Sequence, residues 1–511
     1  MSSGDEDDRG AKPLDLSEFG DISGVYEEVV IKEVENQGTS GPAQQNLGAR
    51  TASIRPANPS LAPPPDSSRR RRRFRFLKRA VGTLAVLGIA GVAVTWWAVH
   101  TFDWAGPLVA DTLRAVIGVD NVTRLEDWVY SVEDRYNQWT RKDDAPQAHW
   151  EIPEEPAAAP AGSGSATAPN ELPPFQPADV GPVHSSWSAP GDGKWVPIVD
   201  SRYPDEQPHM FKTLLHSDRN RSWAEVFVVA VDLRRTRLHM VPGYQEPKSS
   251  TPEAEKRLKE RTEARAAVIP SKDHDGLLAA FNGGFKTEHG HYGMMLDGLT
   301  IMPPREKACA VAMYPNETLK IRDWDFLKPT MDQMIWYRQT PNCMYENGKM
   351  HPLLNDANAT RWGATLDKET VIRRSAIGLN EKGDVLYVSI TNSTTAQAIA
   401  LGMHHAGAAQ VAQLDVNWSY PKFLLYEPEY EGGPREAVAL ADGFEFDKDE
   451  FIRKRSMRDF FYLTRKSAAE ARRWAAAHDD LPAPSPPASA SPATSASTSA
   501  SATPSAAPPP R

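Results

Sequence analysis

The sequence predicts an α+β protein: a mixed β-sheet domain with flanking helices, preceded by one transmembrane helix and by linkers too poor in apolar residues to fold. Three observations lead there. Short runs rich in Val, Ile, Leu and Phe, bounded by Gly, Asn and Asp, recur between residues 224 and 427, which is the pattern of strands. Segments opened by threonines that suit helix N-caps interrupt them. An uncharged apolar stretch, 80–102, directly follows a run of arginines.

Residues 1–79 form a cytoplasmic tail without a core, acidic at Asp5, Glu6, Asp7 and Asp8 and ending on the basic run Arg69 to Arg73, Arg75, Lys78 and Arg79. The span 80–102 is long enough to cross the hydrocarbon layer, with Trp96 and Trp97 as interfacial anchors near its far end. A cleaved signal peptide has a shorter apolar region much nearer the start. The basic run then keeps the N-terminus cytoplasmic and places the C-terminal bulk in the periplasm or outside the cell.

Residues 104–145 carry apolar side chains at spacings of three and four, including Leu113, Val116 and Ile117, and predict juxtamembrane amphipathic helices broken at Gly118. The chain has 43 prolines, and their concentration with Ala and Ser marks 146–191 as a linker and 481–511 as a low-complexity tail. A formal net charge of −9 argues against a nucleic-acid partner, since the one basic run is accounted for by topology.

The folded domain is expected over 192–467, followed by a C-terminal helix in 468–480. Residues 224–241 read as a hairpin with its turn near 232–236, and further strands are predicted at 277–281, 308–314, 319–324, 385–391, 409–415 and 423–427. Asn347-Gly348 is a tight-turn signal. Thr251-Pro252 opens a helix running to about 267, and Thr394 or Thr395 opens another ending at His405. Cys309 and Cys343 are the only cysteines; a disulfide and two buried thiols are both open readings, and neither residue has the neighbours of a metal site.

Three stretches carry candidate chemistry. In 277–285, LLAAFNGGF, an apolar strand runs into Asn282, Gly283 and Gly284; paired glycines let the backbone take positive φ and turn amides toward one point, suiting a phosphate or sugar oxygen. A plain hairpin turn is the blander reading. In 373–391, Arg374 sits on a strand that turns at 380–383, so its planar fork can leave one face toward a phosphodiester. In 409–419, an apolar strand ends on a single carboxylate, Asp415.

The order of these stretches resembles the phosphodiester glycosidase family over roughly residues 224–427: NGGF, then Gly293 with Asp297-Gly298, then Arg374, Ala376, Ile377 and Gly378, then Leu414, Asp415 and Ser419. The resemblance implies an α+β domain that hydrolyses a sugar 1-phosphodiester. It implies Asp415 as the carboxylate that stabilises or attacks the oxocarbenium-like centre, with Arg374, Asn282 and the Gly283-Gly284 backbone holding the phosphate. Lys286 adds positive charge nearby, and Glu288, His289 and His291 are candidate acid/base or binding groups, with Ser419 beside the carboxylate. The chain departs from the family where Asp is followed by three glycines; here stand Val416, Asn417 and Trp418. Trp418 is a candidate sugar platform, and a glycan-binding domain without catalysis is the alternative. His404 and His405 are adjacent on a helix and make a poor metal pair.

Overall fold

Every residue of the strand Val226–Asp232 (β3) is buried, which requires partners on both edges and cover on both faces. The computed structural model describes residues 134–142, 144–152, 172–260, 265–355, 360–363, 371–417, 419–430 and 432–478, with scattered positions between 82 and 132. The chain divides into two units, of which the first, 1–80, lies outside the described residues. So do most of the 80–102 span and of the 104–133 segment, residues 153–171, and everything after 478. Among the described residues no helix is long and apolar enough to cross a membrane.

Among its described residues the second unit contains three antiparallel sheets. The first has the order β1 (Val196–Ile198), β2 (Met210–Leu215), β3, β14 (Val385–Thr394), β13 (Ile372–Leu379), β15 (Gln410–Gln413), β11 (Tyr345–Glu346), β12 (Lys349–Met350). The second runs β7 (Leu299–Met302), β6 (Met294–Leu296), β10 (Trp336–Thr340), β8 (Cys309–Met313), β9 (Leu319–Asp323). The third runs β17 (Arg435–Ala439), β16 (Phe423–Pro428), β5 (Leu277–Asn282), β18 (Phe460–Arg465), β4 (Thr236–Val241). One face of each sheet meets a shared core holding Val229 and Ile377, Val311 and Trp336, and Phe281 and Phe461.

The opposite faces are covered separately. Helix Ala396–His405, capped by the Thr395 hydroxyl accepting the Ala398 amide at 3.1 Å, packs Ile399 and Met403 on Val226, Val228 and Ala376 of the first sheet. Phe451 covers Phe460 and Leu424 behind the third, and Trp324 and Leu327 cover Tyr337 behind the second. The α+β class therefore holds, as antiparallel sheets with a few helices.

The expected hairpin at 224–241 is corrected. Its turn exists, but β3 pairs with β2 and β14 in the first sheet while β4 pairs with β18 in the third. A strand apolar on both faces belongs inside a sheet; Asp232, at its end, is buried with its carboxylate held by Arg234 at 2.7 Å and Arg235 at 2.6 Å, and the chain leaves for another sheet from there. Residues 172–191 also contribute to packing: Phe175 lies edge-on to Phe211 at 5.6 Å, and Val180 donates to the Gly193 carbonyl at 2.9 Å. Cys309 and Cys343 form a disulfide, tying β8 to the segment before β11.

Candidate functional site

The ends of the first and third sheets meet where β5 runs out at Asn282. Its side-chain amide donates to Ser375 Oγ at 2.8 Å and to the Gly283 carbonyl at 3.2 Å, while its Oδ1 accepts the Lys422 amide at 3.2 Å. Ser375 Oγ in turn donates to the Asp415 carbonyl at 2.9 Å, and the Asp415 amide donates to the Gly283 carbonyl at 3.0 Å. Asn282 thus binds β5, β13 and the chain leaving β15 to one another. Its side chain is 3% exposed, so it acts as an internal tie at the floor of the site.

Gly283 and Gly284 have a different reason from the one expected. Neither takes positive φ. A Cβ on Gly283 would stand 2.5 Å from the Asp459 carbonyl oxygen, and one on Gly284 would stand 2.7 Å from the Arg338 guanidinium carbon. Close approach, not turn geometry, demands glycine here. Their amides are also committed: Gly283 N–H donates to the Asp459 carbonyl and Gly284 N–H to Asp459 Oδ2, both at 2.9 Å.

Asp415 is buried at the end of this weave. Its Oδ1 accepts the Asn417 amide at 3.2 Å, and its Oδ2 accepts a hydrogen bond from Arg458 Nη1. The two side chains are 3% and 4% exposed, and the Arg458 guanidinium lies 3.6 Å from the centre of the Tyr420 ring. Burial works to strip the Arg458 proton, but Asp415 and then Tyr420 outweigh it, holding the guanidinium above its usual range.

His289 is exposed in the loop after the glycines. Partial loss of solvent holds its imidazole below the usual range; Asp415 opposes that shift and Arg458 adds to it, so both members of the buried pair act on this ring. Glu288 points away into an ion pair with Lys248 at 2.6 Å, which lowers its carboxyl pKa. His291 is exposed with φ of 50°, and Lys286 and Ser419 are half-buried. Trp418 lies outside the described residues.

Arg374 is not turned toward this site, and the expectation that its fork leaves the sheet toward a ligand is corrected. Its neighbour Ser375 faces Asp415, so Arg374 points to the opposite face of β13. There it is fully buried, donating to the carbonyls of Thr394 at 3.0 Å and Trp362 at 2.6 Å and to Gln413 Oε1 at 3.0 Å. Burial pushes its pKa down to about 9. A cation so enclosed organises the back of the sheet.

Arg458, Asp459 and Arg338 complete the site without having been singled out from the sequence. The available signal was the charged pair Arg458-Asp459 directly before the apolar β18, since charges abutting a buried strand need partners. Among the described residues no three His, Cys, Asp or Glu side chains gather to hold a metal ion.

No family model matches the chain, and no curated protein matches it. Several solved structures do. The zebrafish N-acetylglucosamine-1-phosphodiester alpha-N-acetylglucosaminidase catalytic domain, auto-inhibited by its pro-peptide, is 11% identical, with a TM-score of 0.33 over 53% of this chain and 87% of that one. A hypothetical protein from Synechocystis is 8% identical, with a TM-score of 0.31 over 52% of this chain and 65% of that one. A protein from Burkholderia pseudomallei is 10% identical, with a TM-score of 0.28 over 47% of this chain and 74% of that one.

Proposed function

We propose that the domain hydrolyses a sugar 1-phosphodiester in an envelope or exopolysaccharide glycan, and that the 80–102 span holds it to the membrane on the extracytoplasmic side. The observation that carries this reading is the buried Asp415–Arg458 ion pair beneath His289. A phosphodiester is an anion and competes with Asp415 for the Arg458 fork. Once the guanidinium turns to the phosphate, Asp415 Oδ2 is free to stabilise positive charge at the anomeric carbon.

The bond from that carbon to the phosphate oxygen then breaks with its electron pair leaving on the phosphate. Water adds to the carbon, and neutral His289 takes the water's proton. The products are a reducing sugar and a phosphate monoester. The Cys309–Cys343 disulfide supports an oxidising compartment.

A second reading, glycan binding without turnover, is favoured by one observation: the Gly283 and Gly284 amides are spent on Asp459, so they do not point at a ligand. The full chain, incubated with a nucleotide-linked sugar 1-phosphodiester, separates the two. Release of free sugar that falls at least about a hundredfold in Asp415→Asn supports hydrolysis. Saturable glycan binding with no release in the unmodified chain supports the second reading and overturns the first.

A further inference from the structure

Strand β5 has two ends, and only Asn282 belongs to the Asp415 site. At the other end Leu278, with Ile198, Met210 and Leu425, floors a shallow cleft that opens to solvent between the first and third sheets. Its wall is a fixed polar lattice. Arg202 binds both oxygens of Asp200, at 2.8 and 2.6 Å, and reaches the Leu277 carbonyl at 2.9 Å. Arg465 binds Asp200 at 3.0 Å and also pairs with Glu206.

That lattice carries an aromatic surface. The Tyr203 ring lies 4.2 Å from the Arg465 guanidinium and 5.4 Å from that of Arg202, and the residue is still 41% exposed. Around it the side chains of Gln207 and Glu427 line the cleft with no hydrogen-bond partner among the described residues.

The chemistry of these groups selects a ligand. A rigid, half-exposed ring above an apolar floor matches the C–H face of a pyranose at little entropic cost. A planar amide and a planar carboxylate at the rim suit neighbouring hydroxyls, which donate and accept together. An anion gains nothing here, because the cationic forks are already spent on Asp200 and Glu206. We propose that this cleft binds a neutral saccharide unit, as a second carbohydrate site distinct from Asp415. The inference does not depend on hydrolysis at Asp415, since the two sites stand at opposite ends of β5.

The test uses the full chain, titrated calorimetrically with N-acetylglucosamine, chitotetraose and cellotetraose, with inorganic phosphate as a control. Saturable binding of at least one saccharide is expected, weakened about tenfold or more by Tyr203→Ala and measurably by Gln207→Ala. Asp415→Asn should leave it unchanged. Gln207 is exposed, so its variant reports on binding without disturbing the fold, and thermal melts on both variants check this. Absence of binding to all three saccharides, unchanged affinity in both variants, loss confined to Asp415→Asn, or a preference for phosphate overturns the proposal.

Discussion

Arg338 and Asp459 form an ion pair in which neither side chain reaches solvent, with Nε to Oδ2 at 2.9 Å and the two groups 0% and 1% exposed. Asp459 Oδ2 also takes the Gly284 amide, and Arg338 donates to the Phe285 and Tyr292 carbonyls. Removing one member strands the other charge in the interior. Arg338→Met and Asp459→Asn should each lower stability by about 3–5 kcal/mol in chemical denaturation, whereas changing both together should cost less than the sum.

Gly284→Ala drives a methyl group into the Arg338 guanidinium, and Gly283→Ala drives one into the Asp459 backbone. Each should cost about 2–3 kcal/mol by forcing a close-packed junction apart. Gly298→Ala is the control: no atom lies within 4 Å of its Cβ, so only the strain of φ at +72° remains, about 1 kcal/mol. Melting temperatures of the three variants check the order.

The disulfide closes a loop of 34 positions. In the chain-entropy model such a link is worth about 4 kcal/mol, so Cys309→Ser with Cys343→Ser should lower the unfolding free energy by about that amount, and reduction of the native chain should match it.

His239 stacks on Tyr462 at 4.4 Å and bonds Thr464 Oγ1 at 2.8 Å through Nε2. Burial pushes its pKa down to about 4, against about 6.5 in the unfolded chain. Between those values the unfolded chain binds a proton that the folded one refuses. This contribution is intact above pH 6.5 and is lost as pH falls toward 4, by up to roughly 3 kcal/mol. Stability measured from pH 7 to 4 should fall less steeply in His239→Gln than in the parent chain.

Topology is open to a reporter that works only outside the cytoplasm. Fused after Arg141 it should be active, and fused before Arg69 silent. The reverse pattern would remove the domain from the envelope and with it the proposed substrates.

Much of the sheet structure is legible in the sequence because its signals are local. Asn347 and Gly348 have φ of 53° and 72°, and Asp297 and Gly298 have 48° and 72°, the left-handed pairs that two-residue hairpins need. Thr395 caps its helix through a bond to a residue three positions on. What is not legible depends on distant partners. Arg458 lies 43 positions from Asp415, and nothing in its neighbours says which carboxylate it will meet. A glycine read alone does not reveal whether it serves backbone freedom or the approach of another chain segment, and Gly283 and Gly284 serve the second. Arg374 shows the same limit: strand alternation assigns it to a face, but not what covers that face.

The order of the third sheet has a consequence for synthesis. Strand β18 lies between β5 and β4, so both of those wait for it. Roughly 180 positions separate Asn282 from Phe460, and at about 5–20 residues per second the ribosome takes some ten to forty seconds to deliver the missing strand. Throughout that interval β4 and β5 expose the edges that β18 will close, and the glycines after Asn282 have no Asp459 to receive their amides. A newborn chain therefore carries its half-built site as a sticky surface, and its yield in the cell depends on how well that surface is shielded until residue 465 arrives.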